Sequence, residues 1–226
     1  MVLKIRAASS QDALNIAEII ELTFDEKAHP SHITRVLKED EHLTLVAQAD
    51  TEAVAGFIDG FLTLARDGIY RWELDLLAVH PMYRKRGIGQ QLIQKFTESG
   101  SESGAVQARA LVAVDNQAMS HAMRRTGYVA QADICELWTA SASVTKNMNS
   151  PQNAYLIPVT TLTYRGLWIE TTVTPAAVQT ALYARTQHNL DLVGTVVPAN
   201  NQAEIRLMQI AGFQKVGSYQ WWLRQL

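Results

Sequence analysis

One cysteine, Cys135, is all that 226 residues contain. A lone cysteine excludes an internal disulfide, so nothing in the chain demands an oxidising compartment; Cys135 reads as a small buried hydrophobe. Charge is sparse and nearly balanced, at 19% of residues with a formal net of −2. A general nucleic-acid binder carries a strong basic excess, so no nucleic-acid partner is expected. No apolar run approaches bilayer-spanning length and no secretory leader opens the chain. No membrane association is expected, and a cytoplasmic location is the default. His29 and His32 stand three apart without a clear further ligand, so no metal is expected. No Ser/His/Asp arrangement is legible.

What is present is 47% hydrophobic residues, enough for a substantial core in one large domain or two small ones. The charge divides unevenly: residues 144–226 hold six Lys/Arg against three Asp/Glu, so the acidic excess lies in the first part. Two units that attract one another are one source of such asymmetry.

The pattern over 1–140 reads as strand, two helices, three strands, helix, strand, helix, strand. Residues 2–8 alternate as an opening strand, and Ser9 with Asp12 marks a helix start. A wide apolar stripe follows through Leu14, Ile16, Ile20 and Phe24. A polar connection from Asp25 to Pro30 leads to a short helix around Ser31–Glu39. Strands are expected at 43–49, 53–65, 69–79, 105–114 and 134–140, with Asp50-Thr51-Glu52 joining the first pair as a hairpin. Helices are expected after Gly87 and over 116–126.

The most informative stretch is 73–92, a mostly apolar strand ended by Pro81, a basic turn with Gly87 and Gly89, and then helical spacing through Ile88, Leu92, Ile93 and Phe96. A glycine turn at a helix N-terminus offers free N–H groups and the positive end of the dipole to a phosphate. Arg84, Lys85 and Arg86 add charge there. No Gly-Lys-Ser/Thr follows, which excludes a P-loop, and the glycine spacing is not that of a dinucleotide fingerprint. The segment resembles the acyl-CoA-binding motif of the GNAT superfamily of N-acetyltransferases. That signature, Gln/Arg-x-x-Gly-x-Gly/Ala, stands here as Arg84-Lys85-Arg86-Gly87-Ile88-Gly89, after a Val-x-Pro at Val79-His80-Pro81.

The resemblance implies an α+β (mixed α/β) fold with a GNAT-type central mixed sheet flanked by helices. It implies acetyl-CoA as cosubstrate and a primary amine, on a small molecule or a peptide, as acceptor. Backbone N–H groups around Arg86, Gly87, Ile88, Gly89 and Gln90 would hold the pyrophosphate. The edge of Leu77, Ala78 and Val79 would pair with the pantetheine arm, with the Val79 amide as oxyanion donor, and Asn116 matches a residue that contacts that arm. Glu73, six residues before Val79, matches the strand glutamate that draws the amine proton. Its other reading is a solvated strand residue or an ion pair with Arg71. Asp75 shares its face by the two-residue strand period. Asp25 and Glu26 border the acceptor pocket by resemblance and either attract a cationic amine or form a plain solvated loop. The family's usual tyrosine acid, seven residues after the asparagine, falls here on Met123. Tyr83, Tyr128 or water could replace it; Tyr128 otherwise occupies a packing position.

The pattern then recurs. Asn116-Gln117-Ala118, Met123 and Gly127-Tyr128 match Asn201-Gln202-Ala203, Met208 and Gly212-Phe213 at identical spacing. Val79-His80-Pro81 is echoed by Val173-Thr174-Pro175 after a strand-like 167–172, with no counterpart to Arg84–Gly89. The expected units are a GNAT domain at 1–140, a polar linker at 141–153, and a truncated GNAT-like α/β repeat at 154–226. A half-fold cannot close a core alone, so its sheet should pack on or extend the first. Its Tyr219, Trp221 and Trp222 are core or interface packing, or a substrate wall. The expected state is a monomer or homodimer. Beside the enzyme stands a second reading, an acyl-CoA-binding sensor or scaffold without turnover whose C-terminal half docks a partner.

Overall fold

The computed structural model describes residues 3–49, 53–144, 154–170 and 172–226. The hairpin turn expected at 50–52 and the linker from 145 to 153 lie outside the described residues. The first unit comprises β1 (Lys4–Ala7), α1 (Ala13–Phe24), α2 (Pro30–Val36), β2 (His42–Gln48), β3 (Val54–Leu64), β4 (Tyr70–Val79), α3 (Ile88–Glu102), β5 (Gln107–Ala113), α4 (Gln117–Arg125) and β6 (Val129–Ala140). The second comprises β7 (Leu156–Thr160), β8 (Arg165–Ile169), α5 (Pro175–Gln187), β9 (Leu192–Pro198), α6 (Gln202–Ile210) and β10 (Gln214–Gln225). This is the expected order of elements; β7 is an addition that the sequence pattern did not mark.

Local signals explain where elements begin. Asp12 closes a capping box with Ser9, accepting from the Ser9 amide at 2.8 Å, and takes both guanidinium arms of Arg6 at 2.8 Å. The repeated asparagines prove to be equivalent N-caps. Asn116 accepts from the Met119 amide at 3.0 Å and Asn201 from the Glu204 amide at 3.3 Å.

The ten strands of the described residues form one sheet in the order β1-β2-β3-β4-β5-β10-β6-β9-β8-β7. The β4/β5 and β8/β9 pairs are parallel and the others antiparallel. The last strand of the chain, β10, lies between β5 and β6 of the first unit, while β6 lies between β10 and β9 of the second. Each unit gives its final strand to the other. The second sheet therefore extends the first by reciprocal exchange, not by stacking on it.

Three apolar clusters follow from this frame. One, beneath α3, joins Trp72, Leu92, Phe96, Met123 and Tyr128 with Trp222 of β10. Another, beneath α1 and α2, takes in Leu162 from the turn between β7 and β8. The third joins Val178, Leu182, Met208 and Phe213 with Trp138 of β6. Each unit thus buries a tryptophan in the other's core, and both matched methionines are core residues. Trp222 is packing, as one of its two expected readings has it.

The β3/β4 ladder slips where it matters. Asp59 faces Leu76 and Gly60 faces Leu74, leaving Asp75 in a bulge. Trp72, Leu74, Leu77 and Val79 accordingly line the α3 cluster, whereas Leu76 and Ala78 line the α1/α2 cluster. Gly60 permits this close approach, because a Cβ there would stand 1.9 Å from the Glu73 carbonyl oxygen.

Because Trp222 is 3% exposed within the first core, Trp222→Ala is expected to cost about 3–5 kcal/mol. The loss should lower one cooperative transition for both units, read by guanidinium unfolding followed by circular dichroism and tryptophan fluorescence. Two separated transitions would contradict a shared core.

Candidate active site

The bulge at Asp75 coincides with the end of the β4/β5 ladder, which runs only from Arg71/Gln107 to Leu74/Ala110. Beyond it, Leu76–Val79 remain paired with β3, and the end of β5 remains paired with β10. The two parallel strands part there, and the side of Leu77, Ala78 and Val79 that would face β5 has no ladder.

At the open end of this slot lies the basic turn. Lys85 and Gly87 both take left-handed backbone, at φ of 61° and 76°. Such residues turn successive N–H groups toward one concave surface, a nest suited to an anion. Gly87 is the N-cap of α3 and brings no capping side chain. The N–H groups of Gly87, Ile88, Gly89 and Gln90 therefore have no intrahelical partner. A Cβ at Gly89 would make only ordinary contact with Leu77 and Val79, at 3.6 and 3.9 Å. The Arg84 guanidinium donates to the Val79 carbonyl at 3.1 Å, tying turn to strand, and Arg86 lies over the Tyr83 ring at 5.6 Å. The second unit differs at the same point. There Pro175 opens α5, and the Thr174 hydroxyl accepts from the Ala177 amide at 3.2 Å, so the helix end is closed by its own side chain.

The two strand carboxylates have separate fates. Glu73 is buried and faces Arg109 across the parallel ladder. The Arg109 Nε donates to both its oxygens, at 2.7 and 2.9 Å, and the Thr63 hydroxyl donates at 2.6 Å. Arg71 lies 3.4 Å away, and Glu170 of the second unit completes the cluster on Arg71 and Arg109, at 2.5 and 2.9 Å. Trp221 stacks beneath the Arg109 guanidinium at 4.3 Å. The ion pair with Arg71 named in one reading of Glu73 is present, and a closer one with Arg109 stands beside it.

Asp75 has neither hydrogen bond nor ion pair among the described residues, and it is half-buried at the bulge. Burial first, and then the nearby charge of Asp59, push its carboxyl up to about 7; Glu73 and Glu26 add to this and His42 opposes it. Glu26 is exposed beside it, at the end of α1, where Asp25 takes left-handed backbone at φ 53°. The turn between β7 and β8 crosses this region. His32 meets the Thr161 carbonyl at 2.9 Å, and Tyr164, raised first by burial, also feels the charges of Asp75 and Glu26.

The remaining expectations fall elsewhere. Tyr128 is 2% exposed in the α3 core, its hydroxyl 2.8 Å from that of Thr97. Met123 is fully buried beside it. Asn116 caps α4. Cys135 is buried, and burial pushes its thiol up to about 11. Among the described residues no group of three or more His, Cys, Asp or Glu is placed to hold a metal, and no helix is long and apolar enough to cross a membrane. Sequence reasoning missed Arg109, Glu170, Tyr164, His42 and Asp59. Only Asp59 left a mark, as the one charge inside the apolar strand Val54–Leu64.

A family profile described as the acetyltransferase (GNAT) family matches residues 13–128, just over half of the chain. The chain belongs to the GNAT acetyltransferase family. Solved structures resemble it over all or part of its length. A GCN5-related N-acetyltransferase from Sphaerobacter thermophilus is 13% identical over 99% of this chain and 95% of its own, with a TM-score of 0.62. A tandem GNAT protein from the clavulanic acid biosynthesis pathway is 12% identical over 99% of this chain and 98% of its own, again at 0.62. The NatC complex bound to Gag peptide and CoA is 17% identical over 59% of this chain and 88% of its own, at 0.52. At such identities these likenesses establish the fold, including a second GNAT-like unit.

The raised Asp75 carboxyl carries a stability signature. The folded protein keeps this proton to about pH 7, whereas the ordinary value is 3.8. Its contribution is therefore full below about pH 4 and lost as pH rises toward 7. Asp75→Asn is expected to match the wild type at pH 4 and exceed it by about 1–2 kcal/mol at pH 8, allowing for solvent screening. Thermal unfolding at both pH values measures this.

Proposed function

We propose that the protein is an acetyl-CoA-dependent N-acetyltransferase acting on a primary amine, on a small molecule or a peptide. The observation that carries the reading is the uncapped, doubly left-handed turn at Lys85–Gly87, opening onto the parted β4 and β5 strands. Pyrophosphate would sit on the N–H groups of Gly87–Gln90, with Arg84, Lys85 and Arg86 adding positive potential. The pantetheine arm would lie along Leu77–Val79, reaching Asn116, with the Val79 amide facing the thioester oxygen. Such a donor contributes about 10²–10³ in rate.

The proton of the acceptor ammonium must be taken near neutral pH. A base works best when its pKa lies near that of the medium and its lone pair is open. Asp75 meets both conditions at the point where the slot begins. Glu73, the residue that the family motif suggests, is engaged by Arg109, Arg71 and Thr63, and its role here is to lock the slot wall. The amine, once neutral, attacks the thioester carbon to give a tetrahedral adduct. Its oxyanion collapses and breaks the C–S bond, expelling the CoA thiolate, while the second proton, left on the now acidic nitrogen, passes to the departing thiolate or to solvent. That thiolate leaves unaided at neutral pH, since an ordinary thiol titrates near 8.5. This accords with Met123 at the usual acid position and with a buried Tyr128. Asp25 and Glu26, exposed at the mouth, would draw a cationic acceptor toward Asp75.

The competing reading is an acyl-CoA sensor without turnover, favoured only by the absent tyrosine. Thermal shift and release of free CoA with a broad amine set decide between them. Acetyl-CoA at about 100 times its Kd should stabilise the protein by roughly 2.7 kcal/mol, and Gly87→Glu should abolish the shift. Asp75→Asn should bind acetyl-CoA normally and lose about 10²-fold or more in kcat. Acetyl-CoA binding without CoA release from any amine would establish the sensor. No shift in the wild type would remove both readings.

A further inference from the structure

Beside Asp75 lies a polar pair that the acyl-transfer reading leaves without a role. His42 on β2 and Asp59 on β3 are bonded Nε2 to Oδ1 at 2.6 Å, with side chains 2% and 0% exposed. The Thr44 hydroxyl donates to the same Asp59 oxygen at 2.5 Å. The second oxygen of Asp59 and the Nδ1 of His42 are buried without a hydrogen-bond partner among the described residues. Such groups are expensive to leave in an apolar layer, and this layer is the one formed by Val46, Phe57 and Leu76 beneath α1 and α2. Asp59 faces Leu76, the residue next to Asp75, across the ladder. The charged groups that bear on Asp75 are His42 on β2, Asp59 on β3, Glu73 on β4 and Glu26 after α1, and Tyr164 in the turn after β7 feels the Asp75 charge in turn. His42 is itself pulled down by burial, but Asp59, Asp75 and Glu39 together hold it above its ordinary value.

We propose that His42 and Asp59 are positioning residues that keep Asp75 able to ionise. With His42 protonated, the pair is neutral and stands as a dipole beside Asp75. Without that proton it would be a bare carboxylate, and two buried like charges cannot both ionise cheaply. In the transfer step, an ammonium N–H bond breaks, its electron pair stays on nitrogen for the attack, and the proton passes to an Asp75 oxygen. His42 keeps its proton throughout, so it is not a catalytic residue. Its bond to Asp59 sets the state of the group that is.

The role of Asp75 as base rests on the acetyltransferase reading; the electrostatic coupling does not, and it is measured without turnover. The experiment is a carboxyl-carbon NMR titration of Asp75 in the full chain, its resonance assigned by its loss in Asp75→Asn. His42→Asn should raise the Asp75 pKa by about one unit, Asp59→Asn should lower it by a similar amount, and the double variant should return close to the wild type. If His42→Asn does not fold, Asp59→Asn and the double variant, which lack the unpaired carboxylate, suffice: Asp75 must titrate lower in the former. The same Asp75 pKa in every folded variant would overturn the proposal. A shift seen in a protein that transfers no acetyl group would leave the coupling standing and remove only the base.

Discussion

The position of β10 between β5 and β6 is the constraint from which the rest follows. A sheet that ended at β5 or at β9 would expose a long row of backbone N–H and C=O groups, a template for unwanted pairing. Exchange of final strands removes both edges at once and leaves only two at the margins. One is β1, which has four residues, and the other is β7, which carries the exposed Pro158, a residue that cannot donate to a further strand. The same exchange places Trp222 under α3 and Trp138 under α5 and α6, so neither core is complete without the other unit. The shared strands, the Glu170 ion pairs and the buried Leu162 are three separate attachments of one unit to the other.

Two carboxylates two positions apart on β4 acquire different chemistry for reasons of position alone. Glu73 lies where β4 is still laddered to β5, and the register puts Arg109 opposite it. Asp75 lies at the bulge, past the last rung, where no guanidinium reaches and where Asp59 and Glu26 share its surroundings. A carboxylate held by guanidinium groups is occupied, whereas burial, with other carboxylates near, pushes the Asp75 carboxyl up to about 7. The bulge explains which of the two is left without a hydrogen-bond or ion-pair partner among the described residues.

The two units also show how a ligand-ready helix end is made and unmade. At α3, left-handed Lys85 and Gly87 hold the chain open and no side chain caps the helix. At α5 the connection is shorter, and Thr174 with Pro175 satisfies the helix end internally. The second unit brings strands, Glu170 and the Thr161–Tyr164 turn to the surroundings of Glu73 and Asp75, and offers no equivalent cradle among its described residues.

Much of this was legible in the chain because it depends on neighbours in sequence. The order of elements, the capping box at Ser9–Asp12, the glycine turn and the matched asparagine caps are all local, set by period, cap chemistry and backbone freedom over a few residues. The turn at the open end of the slot, Arg84–Gln90, is local in the same sense. The ion cluster on Glu73 was not legible, since strand register brings Arg109 opposite it across 36 positions and Glu170 joins from the other unit, 97 positions away. Nor was the bulge that isolates Asp75, since the two-residue alternation of a strand is silent about where a ladder slips. Nothing local marked the partnership of His42 with Asp59, or the burial of Tyr164 near Asp75. The amino-acid sequence alone determined that a GNAT-like unit with a phosphate-ready turn is followed by a shortened copy without one. Tertiary structure alone decided which carboxylate is free and how the copies share their strands, because pairing, burial and charge proximity are long-range quantities.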